Sequence, residues 1–269
     1  MRLFFKILFR ESYHLLNNKV HREFLRLVFK YGDKPRYKNE KIRTSKYVLT
    51  VPDCLSFIWQ YKEIFADENY KFNTERNLPV IYDCGANIGI SCLYFKKIFP
   101  FAKIKAFEAD PTIAQILIGN LMQNNYYDVE VIPKAVWIHN NGVELSSEGA
   151  DASTIYSNKN IIKVESVRLK ELLQAEELVD LLKIDIEGAE TDVLKDCRDS
   201  LSNVKNIFIE YHSFINNTQA LNEILDVLSI NKFRYFIKQP LDREKPFINK
   251  INKNSPEIDL QLNIYGYKD

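Results

Sequence analysis

Residues Val80–Asp110 read VIYDCGANIGISCLYFKKIFPFAKIKAFEAD. An apolar run ends in Asp83-Cys84-Gly85-Ala86-Asn87-Ile88-Gly89, a helical pattern follows, and a second apolar run ends in Glu108. Strand, glycine turn, helix, strand, acid is the order of a nucleoside-binding βαβ unit. In such a unit an acid about 20 residues past the turn grips the two ribose hydroxyls. Gly85 and Gly89 are expected to let the backbone turn tightly and approach a ligand with no side chain in the way. The plainer alternative is a structural turn with a chance acid downstream, and a glycine motif alone does not decide between them.

The turn also narrows the ligand. A dinucleotide site asks for G-x-G-x-x-G with a pyrophosphate at the helix N-terminus. Here the spacing is G-x-N-x-G, and Asp83, a carboxylate that would repel a pyrophosphate, opens the turn. An acid there suits a nucleoside cofactor with a cationic end and no phosphate, which S-adenosylmethionine is. Asp83, Gly85, Ala86, Asn87, Gly89 and Glu108 are therefore the expected cofactor-binding residues. An NAD-type oxidoreductase of nucleotide sugars is the alternative that this turn disfavours.

Outward from this unit the chain alternates. Strands are predicted over 79–83, 103–108, 128–133, 179–185 and 204–210, and helices over 89–98, 112–124, 189–199 and 217–230. Such alternation implies a parallel, doubly wound α/β sheet. Residues 140–165 are polar and predict a hairpin or flap. Residues 233–238 and 258–267 fit an antiparallel closing pair, joined by a Pro-, Lys- and Asn-rich loop over 239–257 that is expected to be mobile. Residues 1–73 form a basic, helical extension and cap, and 74–269 the α/β domain. Within the extension a strand is predicted over Tyr47–Val51, followed by a helix capped by Asp53.

Two further clusters carry chemistry. Lys183-Ile184-Asp185-Ile186-Glu187-Gly188-Ala189-Glu190 puts Asp185 at the carboxyl end of a predicted strand, where open α/β sheets bind ligands, with Glu187 just beyond it. Buried carboxylates cost several kcal/mol unless paired or liganded, although Glu187 and Glu190 also suit the start of the next helix. Ile209-Glu210-Tyr211-His212-Ser213 ends the following strand, and the two-residue period places Glu210 and His212 on one face. Asp185, Glu187, Glu210 and His212 are the catalytic candidates. Either His212 is a general base, or Asp185, Glu210 and His212 hold a divalent ion. The plainer reading of His212 is a surface-loop histidine.

Composition frames these sites. The 269 residues are 46% hydrophobic and 13% aromatic, enough for one large domain with appendages. Cys54, Cys84, Cys92 and Cys197 form no C-x-x-C pair, which argues against a zinc knuckle or disulfide framework and fits a reducing cytoplasm. Lys6 and Arg10 interrupt the first apolar run, so no signal peptide is expected, and no uncharged run reaches the ~18 residues of a membrane span. The net charge of +1 hides an asymmetry: residues 1–46 carry 13 Lys/Arg against 4 Asp/Glu, so the remainder is acidic. Phe5, Leu8, Phe9, Leu16, Val20, Phe24, Leu27 and Val28 recur at helical spacing among basic residues. That stripe is expected to dock on the acidic body; the competing reading is peripheral contact of residues 2–30 with an anionic membrane.

Between Leu78 and Ser213, about half of the chain, the sequence resembles the FkbM-type methyltransferases of the class I S-adenosylmethionine-dependent enzymes. The landmarks are Asp83–Gly89, Phe107-Glu108-Ala109-Asp110, Ala135, Lys183–Glu190 and Ile209–His212. The resemblance implies a seven-stranded Rossmann-like fold and O-methylation, commonly of a sugar hydroxyl in a glycan, glycolipid or natural product. It adds Ala109, Ala135 and Asp185 to the cofactor-binding residues. Leu169-Lys170 departs from a Leu-Asp frequent in the family, so the role an acid would play there is not expected of this chain. By the same resemblance, no Asn/Asp-Pro-Pro-aromatic run follows the fourth strand and no catalytic Cys-Pro is present, so a nucleic-acid substrate is not expected. A catalytically inactive, methyltransferase-like binding module is the remaining alternative.

Overall fold

The computed structural model of the chain describes residues 18–147, 153–154, 161–240, 243–250 and 257–268. The stripe residues Phe5 to Leu16, and parts of the expected flap and of the 239–257 loop, lie outside the described residues. The four cysteines are buried and free.

The centre is a seven-stranded sheet. Its strands are β3 (Val80–Cys84), β4 (Lys103–Phe107), β5 (Val129–Ile132), β11 (Val179–Ile184), β12 (Val204–Phe214), β13 (Arg234–Lys238) and β14 (Ile258–Tyr267). Their order is β13-β14-β12-β11-β3-β4-β5, and β14 alone runs antiparallel to its neighbours. The chain winds outward from β3 through β4 to β5, then restarts at β11 on the other side of β3. The carboxyl ends of β3 and β11 therefore flank the point where the winding reverses, which is where open α/β sheets form their ligand crevice.

Both faces of the sheet are covered, which is why its strands read as continuous apolar runs rather than alternating ones. Ile81 and Leu181 point to one core, with Leu93 of α3 (Ile90–Ile98) and Leu117 of α4 (Pro111–Gln123). Tyr82 and Leu182 point to the other. There they meet Leu169 of α5 (Leu169–Ala175), Val193 of α6 (Glu190–Asp196) and Val227 of α7 (Leu221–Ile230). The polar stretch expected as a flap is built around β7 (Val143–Ser147), β8 (Ser153–Thr154) and β9 (Ile161–Val164), an antiparallel set in the order β8-β7-β9. Beside it β6 (Ala135–Trp137) pairs in parallel with β10 (Ser166–Arg168).

One boundary matters for function. The strand predicted to end at 210 continues to Phe214, because β14 pairs with it along Asn206–Phe214. Glu210 and His212 are therefore strand residues, held by a backbone ladder.

The extension shares its core with the sheet. α1 (Lys19–Tyr31) starts at Asn18, whose side chain accepts the Val20 N–H at 2.9 Å. α1 buries Phe24, Leu27 and Tyr31 but leaves Leu25, Val28 and Phe29 exposed, which takes Val28 out of the expected docked stripe. β1 (Glu40–Arg43) pairs with β2 (Val48–Val51), and α2 (Cys54–Tyr61), capped by Asp53, runs into a π-helical turn over Lys62–Ala66. Phe24, Leu49 and Phe57 belong to the same core as Ile81 and Ile104. Among the described residues no helix is long and apolar enough to cross a membrane.

Candidate active site

The turn after β3 is stitched to the end of β4: the N–H groups of Gly85 and Ala86 both donate to the Phe107 carbonyl, at 3.0 and 2.9 Å. Gly85 and Gly89 have φ of +86° and +90°. These positive values suit the expected tight turn, and packing adds a second reason for glycine. A Cβ on Gly85 would lie 1.8 Å from the Asp185 carbonyl oxygen, and one on Gly89 would lie 2.5 Å from a Leu117 methyl. Close packing on the Asp185 backbone excludes a side chain at Gly85, whereas at Gly89 only the end of the Leu117 side chain stands in the way.

Glu108 leaves the tip of β4 and turns back to the turn. Its Oε2 accepts the Asn87 N–H and its Oε1 the Asp110 N–H, both at 2.9 Å. No cation pairs with it among the described residues. Burial pushes its carboxyl up to about 7, against the two N–H bonds that favour the charged form. Ala109 and Ala135 lie together in a small apolar cluster with Leu145 and Val164, beyond the end of β4.

Asp83 does not face this space. It is fully buried, takes a 2.5 Å hydrogen bond from the Ser91 hydroxyl, and lies 3.1 Å from the Lys183 ammonium. The parallel register sets Lys183 directly beside Asp83. The ammonium also donates to the Gly85 carbonyl at 2.8 Å and sits 3.3 Å from Asp185. Burial opposes a charge on Lys183, but Asp83 and Asp185 outweigh it and hold the lysine well above its usual range. The charge that the sequence sets at the head of the turn is thus neutralised within the sheet.

The loop from β11 to α6 wraps around Glu190. This residue is wholly buried, and its carboxylate accepts the N–H groups of Ile186, at 3.1 Å, and Gly188, at 3.0 Å. The wrapping holds Glu187 at φ +53°, a left-handed conformation that costs a non-glycine residue about 1–3 kcal/mol. Glu187 is thereby returned to His212, 3.7 Å from Nε2. His212 also has Glu190 Oε1 at 3.3 Å from Nδ1 and Glu210 Oε1 at 3.8 Å from Nε2. Burial disfavours a charged ring, but Glu187, Glu190 and Glu210 together prevail and hold His212 well above the usual histidine range. Conversely, burial raises the carboxyls of Glu187 and Glu210, with Asp185 adding to both shifts and His212 opposing them. The three carboxylates thus favour the charged form of the His212 ring.

These groups open onto one pocket of about 140 Å³ beside the Gly85–Asn87 turn. Asp185, Glu187, Glu210 and His212, the four catalytic candidates, all line it. Asp185, Glu187 and His212 also bring ligand atoms within 4.8 Å of one another, a set that could hold a metal ion, with Glu187 where the sequence suggested Glu210. Several residues that line the pocket were missed by sequence reasoning. Lys183 lines the pocket but received no role, and the buried Glu190 behind it was read only as a helix-start acid; strand register and loop path reveal their partners. Gln60, Glu63, Tyr70 and Gln261 come from the extension and from β14, with no local signal to tie them to the site.

Residues 83–235, more than half of the chain, match the family model of the methyltransferase FkbM domain. The chain belongs to the FkbM methyltransferase family. Among curated relatives, the methyltransferase sdnD of Sordaria araneosa is 31% identical over 172 residues, 50% of this chain and 66% of that one. The 2-O-methyltransferase NoeI of Sinorhizobium fredii is 28% identical, over 57% of this chain and 72% of its own. The hexuronic acid methyltransferase AglP of Haloferax volcanii is 25% identical, over 63% and 69%. This FkbM chain spans just under two thirds of the length of sdnD.

Proposed function

We propose that the chain is an S-adenosylmethionine-dependent O-methyltransferase acting on a hydroxyl of a sugar-containing acceptor. The observation that carries the reading is a juxtaposition along one sheet edge. Glu108 and the Gly85–Asn87 turn, at the ends of β4 and β3, lead directly into the Asp185, Glu187, Glu210 and His212 cluster at the ends of β11 and β12.

The residues fit the cofactor. Glu108 is a desolvated carboxylate whose only hydrogen bonds among the described residues are to two backbone N–H groups, and ribose hydroxyls would return the hydrogen bonds it lost to burial. Ala109 and Ala135 offer an apolar surface beyond it for a base. Bound S-adenosylmethionine supplies a methyl group already activated on a sulfonium.

The protein must then orient the acceptor hydroxyl and remove its proton as the oxygen becomes nucleophilic. His212, whose charged form the surrounding carboxylates favour, is the weaker proton acceptor. Glu210 and Glu187, whose carboxyls burial has raised, are the proton acceptors, and His212 balances their charge. Gln261, which donates to Glu210, fixes that carboxylate. The 2-O- and hexuronic acid specificities in the names of two relatives support an oxygen nucleophile on a sugar. A metal reading rests on the 4.8 Å set: Asp185, Glu187 and a deprotonated His212 would hold a divalent ion that lowers the pKa of the hydroxyl.

Incubation with isotopically labelled methyl donor and a glycan or glycolipid extract, followed by mass analysis, tests the proposal. A labelled methyl ether on a sugar is expected. No transfer to any extract, with the donor bound, would favour an inactive binding module. Activity lost with chelator and restored by Mg²⁺ or Mn²⁺ would move the proton chemistry to the metal.

A further inference from the structure

The acceptor wall of the pocket has a composition that the methyl-transfer reading does not use. Following the sheet edge from β4 to β14 separates two ends. Glu108 and the turn lie at one, and Glu210, His212 and Gln261 at the other. Over this second end sit Glu63 and Ile64 of the π-helical turn, with Tyr70 just after it. A π turn rotates its side chains away from the α-helical register, and such turns are frequent at functional sites.

Two independent features point to a ligand there. The first is charge. Glu63, Asp185, Glu187 and Glu210 line the pocket against two cations, Lys183 and His212. Both cations are already committed: Lys183 to Asp83 and Asp185, His212 to Glu187, Glu190 and Glu210. Glu63 is partly buried, and among the described residues its carboxylate has no ion pair and no hydrogen bond. The second is Tyr70. It is 8% exposed, packs edge-on against Phe208 and has the Lys183 ammonium 5.7 Å from its ring, yet its hydroxyl has no hydrogen-bond partner among the described residues. Its buried side chain lines the same pocket.

We infer that the acceptor carries an ammonium group beside the methylated hydroxyl, as an amino sugar does, and that Glu63 pairs with that ammonium while the Tyr70 hydroxyl accepts from the acceptor. An ammonium placed there would meet an unpaired carboxylate in a partly desolvated site, where opposite charges attract far more strongly than in water. A uronate or phosphate would meet like charge and be rejected. This inference rests on the methyltransferase reading and narrows its acceptor.

Three probes test it: the methyl glycosides of glucosamine, N-acetylglucosamine and glucuronic acid. Binding is measured by calorimetry in the presence of saturating S-adenosylhomocysteine, and methyl transfer by mass analysis. The free amine is expected to bind about tenfold or more tighter than either other glycoside. Glu63→Gln should bring the amine and its N-acetyl counterpart to within about twofold by raising KM for the amine, with kcat and S-adenosylhomocysteine affinity little changed. Gln60→Glu, which adds a carboxylate to the same wall, should widen the preference and keeps the test alive if Glu63→Gln does not fold. Equal or reversed preference, with the nucleoside product bound normally, overturns the inference and leaves the methyltransferase reading intact. So does a preference that needs added divalent ion and vanishes with chelator. Failure of S-adenosylhomocysteine to bind at all would instead remove the reading beneath it.

Discussion

His212 shows how far a residue's chemistry depends on neighbours that the sequence does not place beside it. A histidine near the end of a strand reads as a base, but the three carboxylates around it make it an acid that is hard to deprotonate. The raised folded pKa fixes the sign of the pH dependence. Its contribution to stability is complete below the ordinary value of 6.5 and is lost as pH rises through the folded value. The raised carboxyls of Glu187 and Glu210 act in the same sense from 4.5 upward. The urea midpoint is therefore expected to fall between about pH 6 and about pH 9, and His212→Gln should flatten the part above 6.5; parallel curves for the two proteins would refute the imidazolium. Glu108 predicts a separate profile. With its carboxyl near 7, binding of S-adenosylhomocysteine should tighten as pH rises through about 7, because the ionised form is the better acceptor. Glu108→Gln should remove that pH dependence, and Glu108→Ala should weaken binding by ~1.5–3 kcal/mol, roughly 10- to 150-fold. Calorimetry across the range decides, and unchanged affinity in the alanine variant would sink the ribose assignment. Glu108 was legible because its distance from the turn is a sequence quantity. The burial of Asp83 was not, since it follows from the Lys183 register, which two separate strands set together.

Two local elements make the crevice, and both store conformations that ordinary residues avoid. At the strand-to-helix turn the sequence marked Gly85 and Gly89 as equivalent, but the structure separates them. Gly85→Ala would drive a Cβ into the Asp185 backbone, where nothing can yield without shifting β11; Gly89→Ala meets only the end of a leucine side chain. Both carry the strain of positive φ. Gly85→Ala is therefore expected to cost about 3 kcal/mol or more, and Gly89→Ala distinctly less. Urea denaturation of the two variants is the check, and equal losses would contradict the packing argument. The loop over 186–188 is held in the same spirit. Glu190 satisfies two N–H groups from a wholly buried position, so Glu190→Ala leaves them without acceptors. A stability loss of at least about 2 kcal/mol is expected, from one or two unsatisfied donors at about 1–3 kcal/mol each. It should come with a lowered His212 pKa, visible in the imidazole NMR shifts. The sequence hinted at this loop only through a Glu at a helix start, which is an ordinary place for one.

At the scale of the whole molecule, periodicity and breaker residues made the α/β series readable, but the fitting of the extension to it was not readable, because its contacts join residues some 70 positions apart. Asn120 of α4 and its C-cap Asn124 lie one turn apart and face β2. Asn120 exchanges hydrogen bonds with the N–H and carbonyl of Thr50, at 2.8 and 3.0 Å, and Asn124 does the same with Val48, at 3.0 and 2.8 Å. The match is geometric. Four residues of helix rise about 6 Å, two residues of strand rise about 6.6 Å, and two carboxamides at that spacing imitate the edge of a neighbouring strand. In sequence they stand with Gln115 and Gln123 as polar positions of the helix, which read as a solvent face. The pairing carries function as well as stability, because the segment it anchors brings Gln60, Glu63 and Tyr70 to the pocket. Replacing both asparagines with leucine would leave the Val48 and Thr50 backbone groups without partners. That should lower global stability by roughly 2–4 kcal/mol, from several backbone groups that must find water instead. Protease cleavage between residues 32 and 53 should then quicken before global unfolding. S-adenosylhomocysteine affinity should hold, since Glu108 and the Gly85–Asn87 turn belong to the sheet, while acceptor turnover falls with the displaced wall. A variant that loses nucleoside affinity and acceptor turnover in equal measure would show that the extension supports the whole crevice rather than its acceptor end.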